Sequence, residues 1–352
     1  MKRDPQASAE QAWQMLSGFI QAAQMIPKAQ RAADASLPLT VIGGFLGAGK
    51  TTLLNHLLSG DHGLRIAVLV NDFGRINIDS ALIRSRTEDT ISLANGCACC
   101  TIAGDLTKTL LALAAREEPP EAIVLEASGL ADPLAIAQVA LANPALRMDG
   151  ILAVVDAETA VKLAADPACG ATFAAQASAA DLVILNKTDL VDETTLSAAR
   201  ATVDEFAPGK PVICTTNAEV PAEIVLGIRS KREIRALDAM PKDHASAFRS
   251  WSAETGALLD GTKLRAMMAS LPPGVLRAKG ILWLAEDRDR RIVFQRVGPR
   301  SSYSSQDWAG DKRCSSLVVI GPADCIDPQT LSRQFEACEA SGMLGLRPST
   351  PR

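Results

Sequence analysis

A glycine-rich segment that ends at Thr51 has the spacing of a phosphate-binding loop. It runs Gly-Phe-Leu-Gly-Ala-Gly-Lys-Thr from Gly44 and fits the pattern G-x-x-x-x-G-K-[ST], between a predicted strand and a predicted helix. Such glycines let backbone N–H groups point at phosphate oxygens, and the N-terminus of the helix adds a favourable dipole. We expect Lys50 to reach the β- and γ-phosphate oxygens and Thr51 to offer its hydroxyl to Mg²⁺. The predicted nucleotide contacts here are Gly44, Gly47, Ala48, Gly49, Lys50, Thr51 and Thr52.

A second motif indicates which base is bound. An apolar run ends in Asn-Lys-Thr-Asp, the pattern N-K-x-D, with its carboxylate at Asp189. That carboxylate could accept hydrogen bonds from guanine N1–H and from the 2-amino group, a donor pair that adenine lacks. Lys187 could cover the base with its alkyl stem, and Asn186 could brace the neighbouring loops. Because the motif follows a phosphate-binding loop, it favours GTP over ATP, with 215–217 as a third loop on the base side.

An acidic residue at the end of another apolar run is the candidate for hydrolysis. Glu126 ends the run Ile-Val-Leu-Glu, and Gly129 follows three residues later. The carboxylate could hold the Mg²⁺ shell or orient the attacking water, while the Gly129 N–H could sense the γ-phosphate. The alternative is that Glu126 only caps the following turn. Because the sequence identifies no glutamine or arginine finger, we predict slow intrinsic conversion of GTP to GDP and phosphate.

Three of the eight cysteines lie within four positions, in Cys97-Ala98-Cys99-Cys100. Thiolates are soft ligands suited to Zn²⁺ or Cu(I), and Zn²⁺ normally takes four tetrahedral ligands. Three cysteines would leave one position for an exchangeable ligand, which suits transfer of the metal. The alternatives are buried inert thiols or a redox pair. The isolated cysteines are predicted to be packing residues: Cys169, Cys214, Cys314, Cys325 and Cys338.

Composition excludes several classes of protein. With Lys+Arg 36 against Asp+Glu 40, the net charge of −4 supplies no basic field for nucleic acid. No uninterrupted apolar run reaches the roughly 18 residues that a membrane span needs. No signal peptide is visible, so we expect the eight cysteines to be reduced in a cytoplasmic protein.

Hydrophobic patterning predicts two domains of different class. Continuous apolar strands that alternate with helices indicate an α/β domain, a P-loop NTPase domain with a mostly parallel sheet, followed by a smaller C-terminal α+β domain. The first domain's predicted strands are 37–42, 66–71, 122–126, 150–156, 182–186 and 211–215. The second has predicted strands at 248–253, 280–285, 291–297 and 316–321, and predicted helices at 261–271 and 328–338. The predicted segments are an N-terminal helical extension over 1–36, the GTPase domain over 37–228, a linker over 229–247, the second domain over 248–342 and a tail over 343–352.

Together, the motifs resemble those of the CobW-like family of P-loop GTPases. They are Gly-Phe-Leu-Gly-Ala-Gly-Lys-Thr-Thr, Gly-Cys-Ala-Cys-Cys, Glu-Ala-Ser-Gly-Leu-Ala-Asp-Pro and Asn-Lys-Thr-Asp, in the family's order and spacing. The resemblance covers about 37–342, since Arg277–Gly280 and Gln295–Gly298 are similar to landmarks of the family's C-terminal domain. It implies a metallochaperone that couples GTP binding and hydrolysis to delivery of zinc, cobalt or iron. Family themes include zinc homeostasis, cobalamin synthesis and nitrile hydratase activation.

Two departures from the family pattern affect the metal site. Many relatives have Asn-Glu-Phe-Gly-Glu where this chain has Asn-Asp-Phe-Gly-Arg, so that Arg75 replaces a carboxylate and Asp72 becomes the candidate fourth ligand. Many relatives also carry a histidine-rich segment, whereas this chain has only His56, His62 and His244. Metal buffering by a histidine tract is therefore excluded, and His56 is predicted to be a packing or surface residue.

The sequence leads to two functional hypotheses. The first is a GTP-hydrolysing metallochaperone that binds a transition metal at the cysteine cluster, with zinc favoured over cobalt or iron, and delivers it to a client metalloprotein. The second is a nucleotide-switched activator or assembly factor for a metalloenzyme, such as a nitrile hydratase or a cobalt-chelating enzyme, in which metal binding is incidental. A homodimer is compatible with both, and neither needs nucleic acid or a membrane.

Overall fold

The computed structural model describes most of the chain, in two compact units. The described residues are 36–60, 64–70, 90–92, 112–113, 116, 119–141, 143, 145–227, 248–308 and 313–340. One unit ends at Leu226 and the other begins at Gly227. Several predictions therefore lie outside the described residues: the 1–36 helix apart from residue 36, Asp72, Cys97, Cys99, Cys100, the 229–247 linker and the 343–352 tail. The predicted domain boundaries stay predictions.

The first unit is built on a seven-stranded sheet in which every neighbouring pair is parallel. Its strands are β1 (Leu37–Gly44), β2 (Ile66–Val70), β3 (Thr90–Ser92), β4 (Ala122–Glu126), β5 (Leu146–Asp156), β6 (Leu182–Asn186) and β7 (Val212–Cys214). The spatial order is β3-β2-β4-β1-β5-β6-β7. Every residue of β1, β2, β4 and β6 is buried, because helices cover a parallel sheet on both faces.

Six helices belong to this unit within the described residues. They are α1 (Lys50–Ser59), α2 (Pro133–Leu141), α3 (Ala160–Ala165), α4 (Gly170–Ala179), α5 (Glu193–Phe206) and α6 (Ala222–Leu226), with a 3₁₀ turn at Thr188–Leu190. Parallel pairing brings the carboxyl ends of the strands to one edge of the sheet. Ligands bind at this edge in open α/β sheets, and Gly44, Glu126 and Asn186 are the last residues of β1, β4 and β6.

The second unit is a five-stranded antiparallel sheet with two helices. Its strands are β8 (Phe248–Thr255), β9 (Arg277–Leu282), β10 (Arg290–Val297), β11 (Arg300–Asp307) and β12 (Ser315–Pro322), in the order β11-β10-β9-β12-β8. The helices α7 (Gly261–Ser270) and α8 (Pro328–Ala337) supply Leu264 and Phe335 to a core with Trp251 and Phe294 of the sheet. This confirms the predicted fold class, with an α/β domain followed by an α+β domain.

Aspartates begin three of the helices. Asp192 accepts a hydrogen bond from Thr195 N at 2.8 Å before α5, and Asp260 and Asp327 cap α7 and α8 in the same way. The backbone N–H of Thr195 lowers the pKa of Asp192, and that of Lys263 lowers the pKa of Asp260. These caps satisfy backbone donors that have no partner inside a helix.

Two strands, β3 and β11, were not predicted from the sequence, and both lie at sheet edges. β3 has only three residues and pairs with β2 alone. β11 has the sequence RSSYSSQD, and all but one of its residues are exposed, so it lacks the apolar alternation that marks a half-buried strand. The strands and helices that were predicted within the described residues are confirmed, but β9 begins at Arg277 where 280 was predicted, and β5 begins at Leu146 where 150 was predicted. None of the helices in the described residues is long and apolar enough to cross a bilayer.

Candidate nucleotide site

The glycine-rich loop connects β1 to α1 and closes back on itself. Gly44, Gly47 and Gly49 have φ values of 134°, 75° and 111°, in the region that favours glycine. A side chain at Gly49 would also collide with the Asn186 Nδ2 atom. The Lys50 ammonium donates to the carbonyl oxygens of Gly44 at 2.9 Å and of Phe45 at 3.1 Å. The loop therefore wraps around the Lys50 ammonium.

The first turn of α1 follows directly after the glycine-rich loop and carries backbone N–H donors. Gly49 is the N-cap residue and has no side chain to accept from them. The first N–H groups of a helix have no partner inside it, so the positive end of the α1 dipole and these donors suit a phosphate. Thr52 lies in this turn and is exposed, while Lys50 is only 6% exposed.

Thr51 and Glu126 come together across the gap between α1 and β4. Thr51 Oγ1 donates to Glu126 Oε1 at 3.3 Å, and Glu126 is only 2% exposed. Glu126 reaches this position because β4 runs beside β1, with Glu126 opposite Ile42. A hydroxyl and a carboxylate are hard oxygen ligands of the kind that Mg²⁺ takes, so this pair fits the ion. From the sequence alone, Glu126 could instead have capped only the turn that follows it. In the structure its carboxylate contacts Thr51, which is 75 residues away in the sequence.

The segment after β4 packs against the phosphate-binding loop. Ala127 N donates to Ile42 O at 2.8 Å, and Ala131 N donates to Ser128 O at 2.9 Å in the turn that contains Gly129. An added Cβ at Gly129 would lie 2.6 Å from Leu46 Cγ, so only glycine allows this close approach. Both predicted hydrolysis residues, Glu126 and Gly129, thus border the loop that carries Lys50.

Asn186 braces the phosphate side of the site to the base side. Its Nδ2 donates to Ala48 O at 2.9 Å, and its Oδ1 accepts from Ala218 N at 2.7 Å. The side chain is 2% exposed, so these bonds form away from water. The brace that the sequence suggested is therefore present, and it joins the glycine-rich loop to the loop after β7.

Backbone strain concentrates on the two base-side loops. Within the described residues, the non-glycine residues with positive φ are Lys187 at 62°, Asn217 at 53° and Ala218 at 54°. Such conformations cost free energy and cluster at functional sites. Asp189 is exposed in the 3₁₀ turn after Lys187. The third loop lies beside this turn, because Thr188 N and Thr188 Oγ1 both donate to Thr215 O.

Several contact residues at this site were not predicted. Asp156 Oδ2 lies 2.5 Å from Lys187 Nζ, and His56 Nε2 lies 3.0 Å from Asn217 O. Gln176 donates to the segment that contains Gly129. Asp156 ends a buried strand just as Glu126 does, so the same pattern would have identified it. His56 was predicted to be a packing or surface residue, and it is a half-buried residue of α1 that contacts the loop after β7.

The predicted metal ligands Cys97, Cys99, Cys100 and Asp72 lie outside the described residues. Among the residues that are described, no group of three or more His, Cys, Asp or Glu side chains could hold a metal ion. Of the isolated cysteines, Cys338 belongs to the core of the second unit, and burial raises the pKa of its thiol. The other four are half-buried.

Replacing Asn186 with alanine is expected to lower the free energy of unfolding by about 2–4 kcal/mol, because two buried backbone groups lose their partners. Urea denaturation of the variant and the wild type measures this difference. Asn217→Gly is the matched control, since it removes an exposed asparagine and relieves a positive φ, so its stability should equal or exceed that of the wild type. An Asn186→Ala protein as stable as the control would show that the brace contributes little.

A parallel sheet with a phosphate-binding loop after β1 and an N-K-x-D turn after β6 defines a P-loop GTPase fold. Comparison with protein families gives the same class. Residues 38–214 match the model of the CobW/HypB/UreG nucleotide-binding domain, and residues 248–339 match that of the cobalamin synthesis protein cobW C-terminal domain. The chain belongs to the CobW/HypB/UreG family.

Curated relatives cover most of the chain. It is 35% identical over 342 residues to the zinc chaperone CobW of Sinorhizobium sp, covering 84% of this chain and 95% of the relative. It is 31% identical over 309 residues to the zinc chaperone YjiA of Escherichia coli K12, covering 81% and 94%. The zinc-regulated GTPase metalloprotein activator 1 of Dictyostelium discoideum is 28% identical over 302 residues, covering 71% and 63%. Among solved structures, the Zn(II)-bound YjiA GTPase from E. coli is 23% identical, with a TM-score of 0.37 over 87% of this chain and 99% of that one.

Proposed function

We propose that this protein is a GTP-hydrolysing metallochaperone. It would bind GTP with Mg²⁺ at the loop site, bind a transition metal at Cys97, Cys99 and Cys100, and deliver that metal to a client metalloprotein. Zinc is the favoured metal because the Sinorhizobium and E. coli relatives are named zinc chaperones, with cobalt or iron as alternatives. The observation that carries the proposal is the Asn186 brace, which joins a phosphate-binding loop to the loops that suit guanine.

The phosphates and the base of GTP would each be bound by different groups. The glycine-rich loop and the first turn of α1 would offer backbone donors to the phosphates, and Lys50 would add a positive charge. Asp189 would accept hydrogen bonds from guanine. Lys187 would cover the base with its alkyl stem, while the Lys187 ammonium pairs with the Asp156 carboxylate. Asn186 acts indirectly, because both ends of its amide are bonded to protein.

Hydrolysis would take place between the loop and the segment after β4. Thr51 and Glu126 would hold Mg²⁺, and the bound ion would supply positive charge to the phosphate oxygens. Glu126 is buried beside the loop, and could alternatively orient the attacking water. The Gly129 N–H would respond to the γ-phosphate. We expect slow intrinsic turnover, since positioning and electrostatics supply most of the catalysis in this class and the sequence identifies no arginine finger.

Topology supports coupling between nucleotide and metal. β3 ends at Ser92, at the sheet edge that carries the nucleotide site, and Cys97 follows five residues later. Loops at this edge commonly respond to the γ-phosphate, and hydrolysis could therefore change the thiolate geometry and release the metal.

Titration of Zn²⁺ and Co²⁺ in the presence of GDP or of a non-hydrolysable GTP analogue tests this coupling. We expect the metal affinity to differ at least about tenfold between the two nucleotide states, which corresponds to a coupling free energy of about 1.4 kcal/mol. Cys97→Ala, Cys99→Ala and Cys100→Ala should each weaken binding. Cys314→Ala is the matched control, because this half-buried cysteine lies in the second unit. Equal affinities in both states, unchanged by the three substitutions, would contradict the proposal.

The Dictyostelium relative, named a metalloprotein activator, favours the second candidate function. Under this second hypothesis the protein is a nucleotide-switched assembly factor, and it binds the client without needing metal. A pull-down of a purified client metalloenzyme with protein locked in the GTP state distinguishes the two. Client capture that survives loss of all three cluster cysteines would favour the assembly factor.

A further inference from the structure

We propose that Gln176 is a positioning residue that sets the response of the segment 128–132 to the γ-phosphate. Gln176 lies on α4 and is only 4% exposed. Its Nε2 donates to Gly129 O at 3.0 Å and to Ala131 O at 3.1 Å. A single side-chain amide thus uses both of its hydrogens to hold two carbonyl groups of the segment. The inference rests on the proposed GTPase function.

These two hydrogen bonds fix the orientation of two peptide planes. A peptide unit is planar, with its C=O and N–H pointing in opposite directions. Holding the carbonyl of Gly129 therefore also directs the N–H of Leu130, and holding that of Ala131 directs the N–H of Asp132. The Gly129 N–H, which would respond to the γ-phosphate, belongs to the preceding peptide unit, and Gln176 restricts its direction by fixing the peptide plane on the other side of the Gly129 Cα. Backbone donors act on a phosphate best when their direction is set in advance. Gln176 supplies that constraint from 47 residues away in the sequence.

The segment is also held from the side of the phosphate-binding loop. An added Cβ at Gly129 would lie 2.6 Å from Leu46 Cγ and 2.8 Å from Leu46 N. Gly129 is therefore in contact with the backbone of the loop that would cradle the phosphates. A shift of Leu46 on binding or loss of a γ-phosphate would therefore reach Gly129 directly, while Gln176 would limit how the segment can move.

The helix that carries Gln176 is firmly anchored. Phe173 and Ala177 of α4 are buried in the core, and the Phe173 ring packs edge-on against Phe206 of α5 with centroids 5.7 Å apart. A residue on such a helix gives a fixed point of reference, whereas a residue on a loop would move with the segment.

A purely structural role and a positioning role predict different results. If Gln176 only satisfies buried carbonyls, its loss lowers stability and weakens binding of GDP and GTP alike. If it positions the segment, its loss changes the difference between the two nucleotides and the hydrolysis rate. The ratio of the two affinities is therefore the informative quantity.

The test compares Gln176→Met with the wild-type full-length protein. Methionine has a similar length and volume but cannot donate to the carbonyls. Dissociation constants for GDP and for a non-hydrolysable GTP analogue are measured with single-turnover hydrolysis of GTP. We expect GDP affinity within about threefold of wild type, and at least about tenfold losses in both the analogue-to-GDP affinity ratio and the hydrolysis rate, each equivalent to about 1.4 kcal/mol.

Ser178→Ala is the matched control, because Ser178 is exposed on the same helix and its hydroxyl donates to Ala175 O at 3.2 Å and not to the segment, so neither the ratio nor the rate should change. Gln176→Asn provides a second variant if the methionine variant does not fold, since its shorter amide keeps a polar group but cannot hold both carbonyls. An unchanged ratio and rate in the folded Gln176 variant, or equal losses in Ser178→Ala, would overturn the proposal. A wild-type protein that does not hydrolyse GTP would instead refute the proposed function itself.

Discussion

Lys50→Ala is expected to lower the rate constant of GTP hydrolysis to background, a loss of at least about 10³-fold. The Lys50 ammonium is buried and is held by the Gly44 and Phe45 carbonyls inside the loop, where the β- and γ-phosphates would lie. Removing one preorganised group that stabilises transition-state charge costs about 3–4 kcal/mol in comparable sites. A full positive charge facing phosphate oxygens belongs at the upper end of that range. Phosphate release from purified protein with GTP and Mg²⁺ measures the loss.

Lys162→Ala is the control for this substitution. Lys162 lies on α3 and is exposed, so its removal deletes the same charge without touching the loop. Its hydrolysis rate should match that of the wild type. Full activity in the Lys50→Ala protein would refute the assignment of the glycine-rich loop as the phosphate site.

Asp189→Asn is expected to exchange the base preference of the protein. The carboxylate would accept from two guanine donors, whereas an asparagine amide has one acceptor oxygen and an N–H₂ group that can only donate. The guanine 2-amino group would then face an N–H₂ group, and one charged hydrogen bond would be lost. At about 1.5–3 kcal/mol for such a bond, plus an unpaired donor, GTP affinity should fall by about 10²- to 10³-fold. Xanthosine triphosphate carries an acceptor oxygen at that position, so its affinity should rise.

Asp192→Asn serves as the matched control for the base exchange. Asp192 is three residues away, caps α5, and receives the same change of carboxylate to amide. It should alter helix stability without changing the order of nucleotide affinities. Competition between GTP and xanthosine triphosphate for a fluorescent nucleotide measures both variants. An Asp189→Asn protein that still prefers GTP would show that guanine is recognised elsewhere.

Local patterns account for what the sequence revealed about the fold. The buried strands of the parallel sheet are continuous apolar runs, and β4 and β6 were predicted with the bounds that they have. The glycine-rich loop could be recognised because its glycines have to adopt positive φ within a few residues. The exposed strand β11 could not be recognised, because its residues satisfy the pairing with β10 without contributing apolar side chains to the core.

The residues of the candidate site also fall into two groups, those that local motifs reveal and those that only the tertiary structure reveals. By itself, the sequence determined the residue types that suit phosphate, Mg²⁺ and guanine, since each motif spans fewer than ten neighbouring positions. Only the tertiary structure decided which distant groups hold those motifs in place. Asn186 bonds to Ala48, 138 residues away, and Gln176 holds Gly129 from a helix rich in alanine. No local pattern distinguishes such a glutamine from a solvent-facing one, because its partners are backbone carbonyls brought to it by the packing of α4 against the sheet.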